Sequence, residues 1–529
     1  MAARDEHAEI GRSAGKIGVG TALSHVFGLI RDVIFAFLFG TSLYADAFNL
    51  AFSVPTFFRR LFGEGVMNAA FVPIFTQHRI AKGKEESNRF GSNALIVLGL
   101  LLLLSVGAGV VIAPWILRLY AAGWREDPER MAAAVRLTRI LFPYLLLIGP
   151  AVLTMGILNA LRHFTVPAFS PVFFNIGIIT FALIAMRLPD RGFLRIDLFC
   201  VGVLVGSLGQ LLSQLPILPR RGFHFRFHFD PRSPELSAVG ALMLPGIVGL
   251  AVVQINIMVD TFFATLLAEG SVTALRMGNR VMLLPLAIFA TAIASASLPT
   301  LSAQVAREGI DEAKQTLAYT LRLLFFLLLP SAVGLIVLGR PIVRLLFVRG
   351  AFDAGRSLDI TATTLVFYSL GLFAYGGVKG VSQMFFSLRD TRTPVIVGAI
   401  AMGTNILFDL LLYRSLAVGG LAFATSLAGV VNFLLLLYLL VRRHGPIREG
   451  RLLGTWLRVF LCAIVMGGTV HVVSLLLEPT DPGPLSGQIL HVVGAIAAGG
   501  VVYFAAATLL CRRELGDLKR ALLLRRSLS

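Results

Sequence analysis

Residues 28–40 read Gly28-Leu-Ile-Arg31-Asp32-Val-Ile-Phe-Ala-Phe-Leu-Phe-Gly40. The stretch is apolar and helical in pattern, yet it holds Arg31 and Asp32 well inside a segment that should lie in lipid. A charge at that depth is costly, so it normally faces a cavity, a partner or a substrate. The fold and the function both turn on which other charges accompany Arg31 and what they hold.

The chain has 529 residues, 56% of them hydrophobic and only 14% charged, with a mean hydropathy of +0.82. Windows of about 20 residues give about fourteen spanning candidates. The expected class is therefore an all-α polytopic membrane protein. The first residues are polar and charged, without the short apolar core and small-residue site of a cleavable signal peptide. Cys200, Cys462 and Cys511 lie in or at the ends of apolar segments and read as small hydrophobes, not a disulfide set or metal site.

A net charge of +18 could suggest nucleic acid, but its distribution argues otherwise. With the N-terminus inside, roughly twice as many Lys and Arg fall in inner loops as in outer ones. The inner clusters include Arg79, Lys82, Lys84 and Arg89, then Arg220, Arg221, Arg226 and Arg232, and the tail from Arg512 to Arg526. Orientation with both termini cytoplasmic, and contact with anionic membrane lipids, account for these. Arg31, Arg59, Arg60, Arg276, Arg280 and Lys379 remain within the spans and need another explanation.

The second span carries Asp46, Asn49, Ser53, Thr56 and Arg60, whose 3-4-3-4 spacing keeps one helix face polar to mid-span. Arg59 sits one step round, about 22 Å below the start, too deep to snorkel to the near interface. Pro55 should kink this helix and Gly63-Glu-Gly65 should loosen it. The bland reading is a salt bridge from Arg59 or Arg60 to Asp32, Asp46 or Glu64. A polar stripe this long implies a wet cavity as well. Asn159 and Asn175 read as helix-packing hydrogen bonds. The connection 119–136, rich in both charge signs, reads as a solvated outer loop.

Asn256-Ile-Met-Val-Asp260 and Asn405-Ile-Leu-Phe-Asp409 each place an amide one turn before a carboxylate, and Thr425 follows in the next span. Together they form a hard-oxygen set for a small cation or for protons, or else interhelical hydrogen bonds with the acids protonated. Arg276 and Arg280 are one turn apart on one face. Arg280 should lie about 12 Å below the outer surface and Arg31 about 13 Å below it. These two and the deeper Arg59 are expected to share one chamber. Lys379 is a weaker fourth member that an acid could pair.

Leu161-Arg-His-Phe-Thr-Val-Pro167 and Leu388-Arg-Asp-Thr-Arg-Thr-Pro394 match in Leu, Arg and Pro at identical spacing, each in a short inner loop between spans. The match suggests two parallel, pseudo-symmetric six-helix lobes with sites at their interface. The expected division is 1–218, 219–443, and an additional helix pair with a basic tail over 444–529. Several arginines suit phosphate, and three suit a diphosphate better than one carboxylate. From its residues the chain reads as an alternating-access transporter of an amphipathic anion and not as an enzyme; the expected working unit is a monomer. A membrane polymerase would need a catalytic group near an outer loop, and a scaffold gains nothing from deep arginines.

Gly28-Leu-Ile-Arg-Asp32, Asp46-Ala-Phe48, Pro55-Thr-Phe-Phe-Arg-Arg-Leu-Phe-Gly-Glu-Gly65 and Asn68-Ala-Ala-Phe-Val-Pro73 closely resemble the MurJ (MviN) family. These are lipid II flippases of bacterial peptidoglycan synthesis, within the multidrug/oligosaccharidyl-lipid/polysaccharide exporter superfamily. The resemblance runs on through Phe142-Pro-Tyr144, Ile157-Leu-Asn159, Pro167-Ala-Phe169, Gly270-Ser-Val272, Arg280, Leu298-Pro299 and Thr393-Pro394. It implies fourteen helices, with a groove for the undecaprenyl tail at the last pair. It also implies a location in the bacterial cytoplasmic membrane and lipid II as the partner. By resemblance, Arg31, Arg59 and Arg280 match arginines that hold the lipid diphosphate, and Asp32 is the acid beside the first. Arg60, Asp46 and Arg276 join the expected substrate set from their positions. Asp260, Asn405, Asp409 and Thr425 match a Na+ site of some members, making Na+ a candidate coupling ion. The chain departs from the pattern at His25, where some members have Arg, and at Asn279, where some have Asp. The nearest alternative is an exporter of the same fold that moves another lipid-linked oligosaccharide or a drug.

Overall fold

Apolar windows of this number need a backbone that satisfies its own hydrogen bonds, which in lipid leaves helices or closed barrels. The chain takes helices. The computed structural model describes residues 2–62, 66–189, 193–307, 309–447, 452–478 and 484–516, and no strand occurs among them. Glu64, one expected partner for the arginines, lies outside the described residues. The chain packs as two units, Met1–Glu269 and Gly270–Ser529.

The first unit runs through α1 (Ala2–Phe39), α2 (Leu43–Phe62), α3 (Val66–Tyr120), α4 (Pro128–Leu141) and α5 (Tyr144–Ala160). It continues with α6 (Thr165–Met186), α7 (Leu194–Leu212), the single turn α8 (Ile217–Arg220) and α9 (Pro234–Thr265). α3 is interrupted at Gly83, whose φ of 84° is open to glycine at no steric cost. α6 and α7 pack closely through small residues: a Cβ on Gly206 would stand 2.3 Å from the Phe174 carbonyl oxygen. α1 lies on α6, α2 on α4 and α9, and α3 on α5 and α9. Thus α9, the seventh span, packs with the first unit. The boundary at 218 followed from a repeat; packing answers a different question, namely which helices touch.

The second unit comprises α10 (Ser271–Pro285), α11 (Thr291–Arg307), α12 (Ile310–Val337), α13 (Gly339–Phe347) and α14 (Arg356–Ser369). After these come α15 (Leu372–Ser387), α16 (Arg392–His444), α17 (Leu452–Leu476) and α18 (Leu485–Leu510). One π-helical turn, Leu286–Ala290, follows Pro285 between α10 and α11, where the missing proline donor loosens the ladder. α16 is broken at Ala417, with φ 47°. A Cβ on Gly420 would meet the Leu412 carbonyl at 2.5 Å, eight residues back and about 12 Å away in a continuous helix. The chain therefore doubles back here.

α17 and α18 pair with each other and lie on α12 and α13. Their inner face buries Val459, Cys462, Met466, Tyr503 and Cys511 around Phe326, and the Tyr503 hydroxyl donates to the Phe326 carbonyl at 2.5 Å. Their other face leaves Leu457, Leu461, Val465 and Leu475 exposed, as a lipid-facing hairpin requires. Cys462 and Cys511 fill this core and Cys200 is buried in the first unit, so the thiols pack as small hydrophobes.

Eleven helices among the described residues are long and apolar enough to cross a membrane, and α14 with α15, bent by 42°, makes a twelfth span. The reversal at Ala417 divides α16 in two, and α2 is excluded from that set by Asp46, Arg59 and Arg60. Counted this way the described helices amount to about fourteen spans. The protein is an all-α polytopic membrane protein.

Candidate functional site

Arg31, inside the first span, is held on both sides. Arg31 Nη2 donates to Asp32 Oδ1 at 2.7 Å and Nε donates to the same oxygen at 3.0 Å. Its Nη1 donates to Asn175 Oδ1 at 3.2 Å, across from α6. Asn175 is itself fixed, its amide donating to the carbonyls of Pro171 at 3.1 Å and Ser24 at 3.4 Å. The Arg31 and Asp32 side chains keep 18% and 23% of their surface, so the guanidinium is oriented yet reachable. Asn175 does pack two helices together, as its sequence position suggested. Its hold on Arg31 was hidden, because nothing local links residues 144 positions apart.

On α2 the polar stripe changes character along its length. Asp46 and Asn49 are buried, whereas Ser53, Thr56, Arg59 and Arg60 are half-buried. Ser53 meets the Tyr120 hydroxyl at 3.0 Å, and Arg60 Nη1 donates to Gln254 Oε1 at 3.2 Å. Sequence reading missed Gln254: it lies two residues before Asn256, nearly opposite it on α9, off the face that drew attention. The N-terminus of α2 is capped by Glu269, which accepts from the Leu43 amide at 2.8 Å and pairs with Arg130 at 3.0 Å. A carboxylate suits that end of a helix. It also ties part of the charged 119–136 connection inward, where Trp124 is buried, so that loop is only partly solvated.

Asp260 is buried near the end of α9, with Asn256 half-buried one turn earlier. In the second unit Arg276 is exposed and Arg280 half-buried, one turn apart on α10. Lys379 donates to the Thr291 hydroxyl at 2.7 Å, and no acid pairs it among the described residues. Asn405 and Asp409 are fully buried on one face of α16. The reversal at Ala417 brings Thr425 to them, the Asn405 amide donating to Thr425 Oγ1 at 3.4 Å.

Residues 35–481 match the family model described as lipid II flippase MurJ. The chain belongs to the MurJ family. The probable lipid II flippase MurJ of Rhizobium meliloti is 35% identical over 93% of this chain and 92% of its own length. That of Vibrio cholerae is 33% identical over 95% and 96%. A solved structure of lipid II flippase MurJ in an inward closed conformation matches with a TM-score of 0.78 at 28% identity, covering 94% of this chain and 98% of that one. An inward-facing MATE multidrug resistance transporter of the MOP superfamily matches at 0.69 and 15% identity, covering 81% and 96%, a likeness of fold. MurJ membership and the spans make this a multi-pass inner-membrane protein of a transporter family.

Proposed function

We propose that this chain moves lipid II from the cytoplasmic to the periplasmic leaflet by alternating access, with both termini cytoplasmic, acting as a transporter and not a catalyst. The observation that carries the reading is Arg31, a cation within a span that is oriented by Asp32 and Asn175 and still partly exposed. A guanidinium fixed in this way presents its remaining N–H groups to a phosphate without losing further side-chain freedom. Arg59 and Arg280 join Arg31 on the diphosphate. Arg60, Asp46 and Arg276 shape the surrounding polar surface, and Asp32 tempers the charge when no substrate is bound.

Binding of the diphosphate stabilises the state in which these cations share it, and that differential affinity shifts the conformational population. The pair α17–α18 lies along the lipid tail. A monomer suffices for this cycle, and anionic lipids contact the basic inner loops.

Asp260, Asn405, Asp409 and Thr425 would hold Na+. The donors are all hard oxygen, and Asn405 and Asp409 are fully buried, where a small hard cation is screened from competing water. If changing sodium at fixed membrane potential left transport untouched, this assignment would fail.

Native mass spectrometry of the purified chain with lipid II tests the arginine assignment. Arg31→Ala, Arg59→Ala and Arg280→Ala should each weaken binding by about tenfold or more. Undiminished binding in all three would refute it.

A further inference from the structure

The outer end of the first unit concentrates cations where the inside-positive bias of the chain would not place them. A cleft of about 1170 Å³ opens between the last turns of α3 and one face of α4. Arg118 and Arg125 line it from the α3 side, and Arg136 and Arg139 from α4, where Ala132, Val135, Arg136 and Arg139 recur at helical spacing. Arg136 is paired with Asp197 and lies over the Phe193 ring at 4.9 Å. The other three have no carboxylate partner among the described residues. Arg125 Nε donates to the Arg118 carbonyl at 2.9 Å, Arg139 Nε to the Val110 carbonyl at 3.2 Å, and Arg118 lies 5.9 Å from the Trp115 ring. Asp127 is taken by Arg130 at 2.9 Å, and Glu126 and Glu129 do not line the cleft. Among the described residues, four cations thus meet one acid.

The wall beside these cations faces lipid. Val111, Trp115 and Leu119 stand one turn apart on α3 and are 71%, 72% and 73% exposed. An exposed apolar stripe that carries a tryptophan and borders several arginines has the profile of a membrane interface. Carbonyl bonds fix the Nε groups of Arg125 and Arg139, which leaves the terminal guanidinium nitrogens for a ligand of opposite charge.

We propose that this cleft binds the phosphate of an anionic phospholipid in the outer leaflet, with the acyl chains along Val111, Trp115 and Leu119. The guanidinium forks take the phosphate oxygens and the apolar stripe takes the chains, so headgroup and tail are both needed. The cleft lining includes neither Arg31 nor Arg59, and lipid binding there does not depend on the transport reading; its assignment to the outer leaflet rests on the proposed orientation with both termini cytoplasmic.

The test uses the full chain in nanodiscs of phosphatidylcholine with a minor share of phosphatidylglycerol. Retained lipid is read by native mass spectrometry, and folding by the melting temperature in phosphatidylcholine alone. Wild type should retain phosphatidylglycerol preferentially. The double variant Arg118→Gln/Arg139→Gln should lose about tenfold of that preference with an unchanged melting temperature. The Lys double variant at the same sites should fall between them, because it keeps charge but loses the fork. Equal retention by wild type and the Gln variant would overturn the proposal. So would full displacement of the lipid by free pyrophosphate, which would make the cleft a site for soluble anions.

Discussion

Arg162 and Arg389 hold the same left-handed backbone conformation, φ 56° and φ 59°. Each follows the C-terminus of its helix, and the same pair of bonds closes both ends. Arg162 N–H donates to Asn159 at 3.0 Å and His163 N–H to Leu158 at 2.9 Å; Arg389 N–H donates to Phe386 at 3.0 Å and Asp390 N–H to Phe385 at 2.9 Å. This is the Schellman arrangement, which normally recruits glycine. The repeat visible as Leu-Arg-Pro is therefore also a repeat of backbone geometry, once in each unit.

Because Arg389 carries the strain of a left-handed side-chain residue, Arg389→Gly should be neutral or raise the melting temperature slightly. Arg389→Val should lower stability by about 1–2 kcal/mol, since branching at Cβ worsens the same clash. Differential scanning of the purified protein separates the two outcomes. A Val variant as stable as wild type would remove the strain argument.

Asn175→Ala removes the neutral clamp on Arg31 while leaving Asp32 in place. Lipid II binding should weaken by about three- to tenfold through loss of one charge-assisted hydrogen bond. Asn175→Asp should weaken binding further, because it adds a second anion beside the guanidinium. Titration of labelled lipid II against each variant measures this.

Gly206 meets the Phe174 carbonyl where α6 and α7 touch. Gly206→Ala should destabilise the first unit by about 1–3 kcal/mol, since backbone, not a yielding side chain, receives the new methyl. Gly240, where an added Cβ meets nothing within 4 Å, serves as the control: Gly240→Ala should be tolerated. Melting temperatures of the two variants give the comparison.

Asp390, between α15 and α16, titrates below the ordinary carboxylate range. Burial pushes its carboxyl up, but hydrogen bonds from the Thr393 hydroxyl and amide, with the charge of Arg443, more than offset this. A lowered folded-state pKa makes the contribution full above the unfolded value near 3.8 and lost as pH falls through the folded value. Stability should therefore decline on acidification below about pH 4, and Asp390→Asn should flatten that part of the profile. An unchanged acid limb in the variant would show that other groups control it.

The spans were legible because twenty-residue apolar windows have few other uses, and Arg31 and Asp32 stood out as charges inside one such window; that the two pair with each other is seen only in the structure. The lipid-facing side of α17–α18 followed from the lack of charge in mid-span. Asn175 and Gln254 were not legible as partners of Arg31 and Arg60. Each is a single polar residue in an apolar helix, and only tertiary packing says which neighbour it meets. Thr425 was chosen by type. Its approach to Asn405 depends on a reversal at Ala417, an ordinary alanine whose φ nothing local forecasts. The outer arginine cleft is not legible either, because its members are spread across α3, the connection 119–136 and α4, and only Arg125 and Arg136 fall in the stretch that reads as a solvated loop.

The central claim is that this chain delivers lipid II to the outer leaflet through its deep arginines. The most direct measurement depletes the protein in its own cells and scores the lipid II open to an externally added cleaving enzyme, with wild type, Arg59→Ala and Arg280→Ala supplied as rescue copies at matched levels. The account predicts that exposed lipid II falls on depletion while the inner pool rises, and that only the wild-type copy restores exposure. Exposure that stays constant on depletion, or full rescue by both alanine variants, would contradict it.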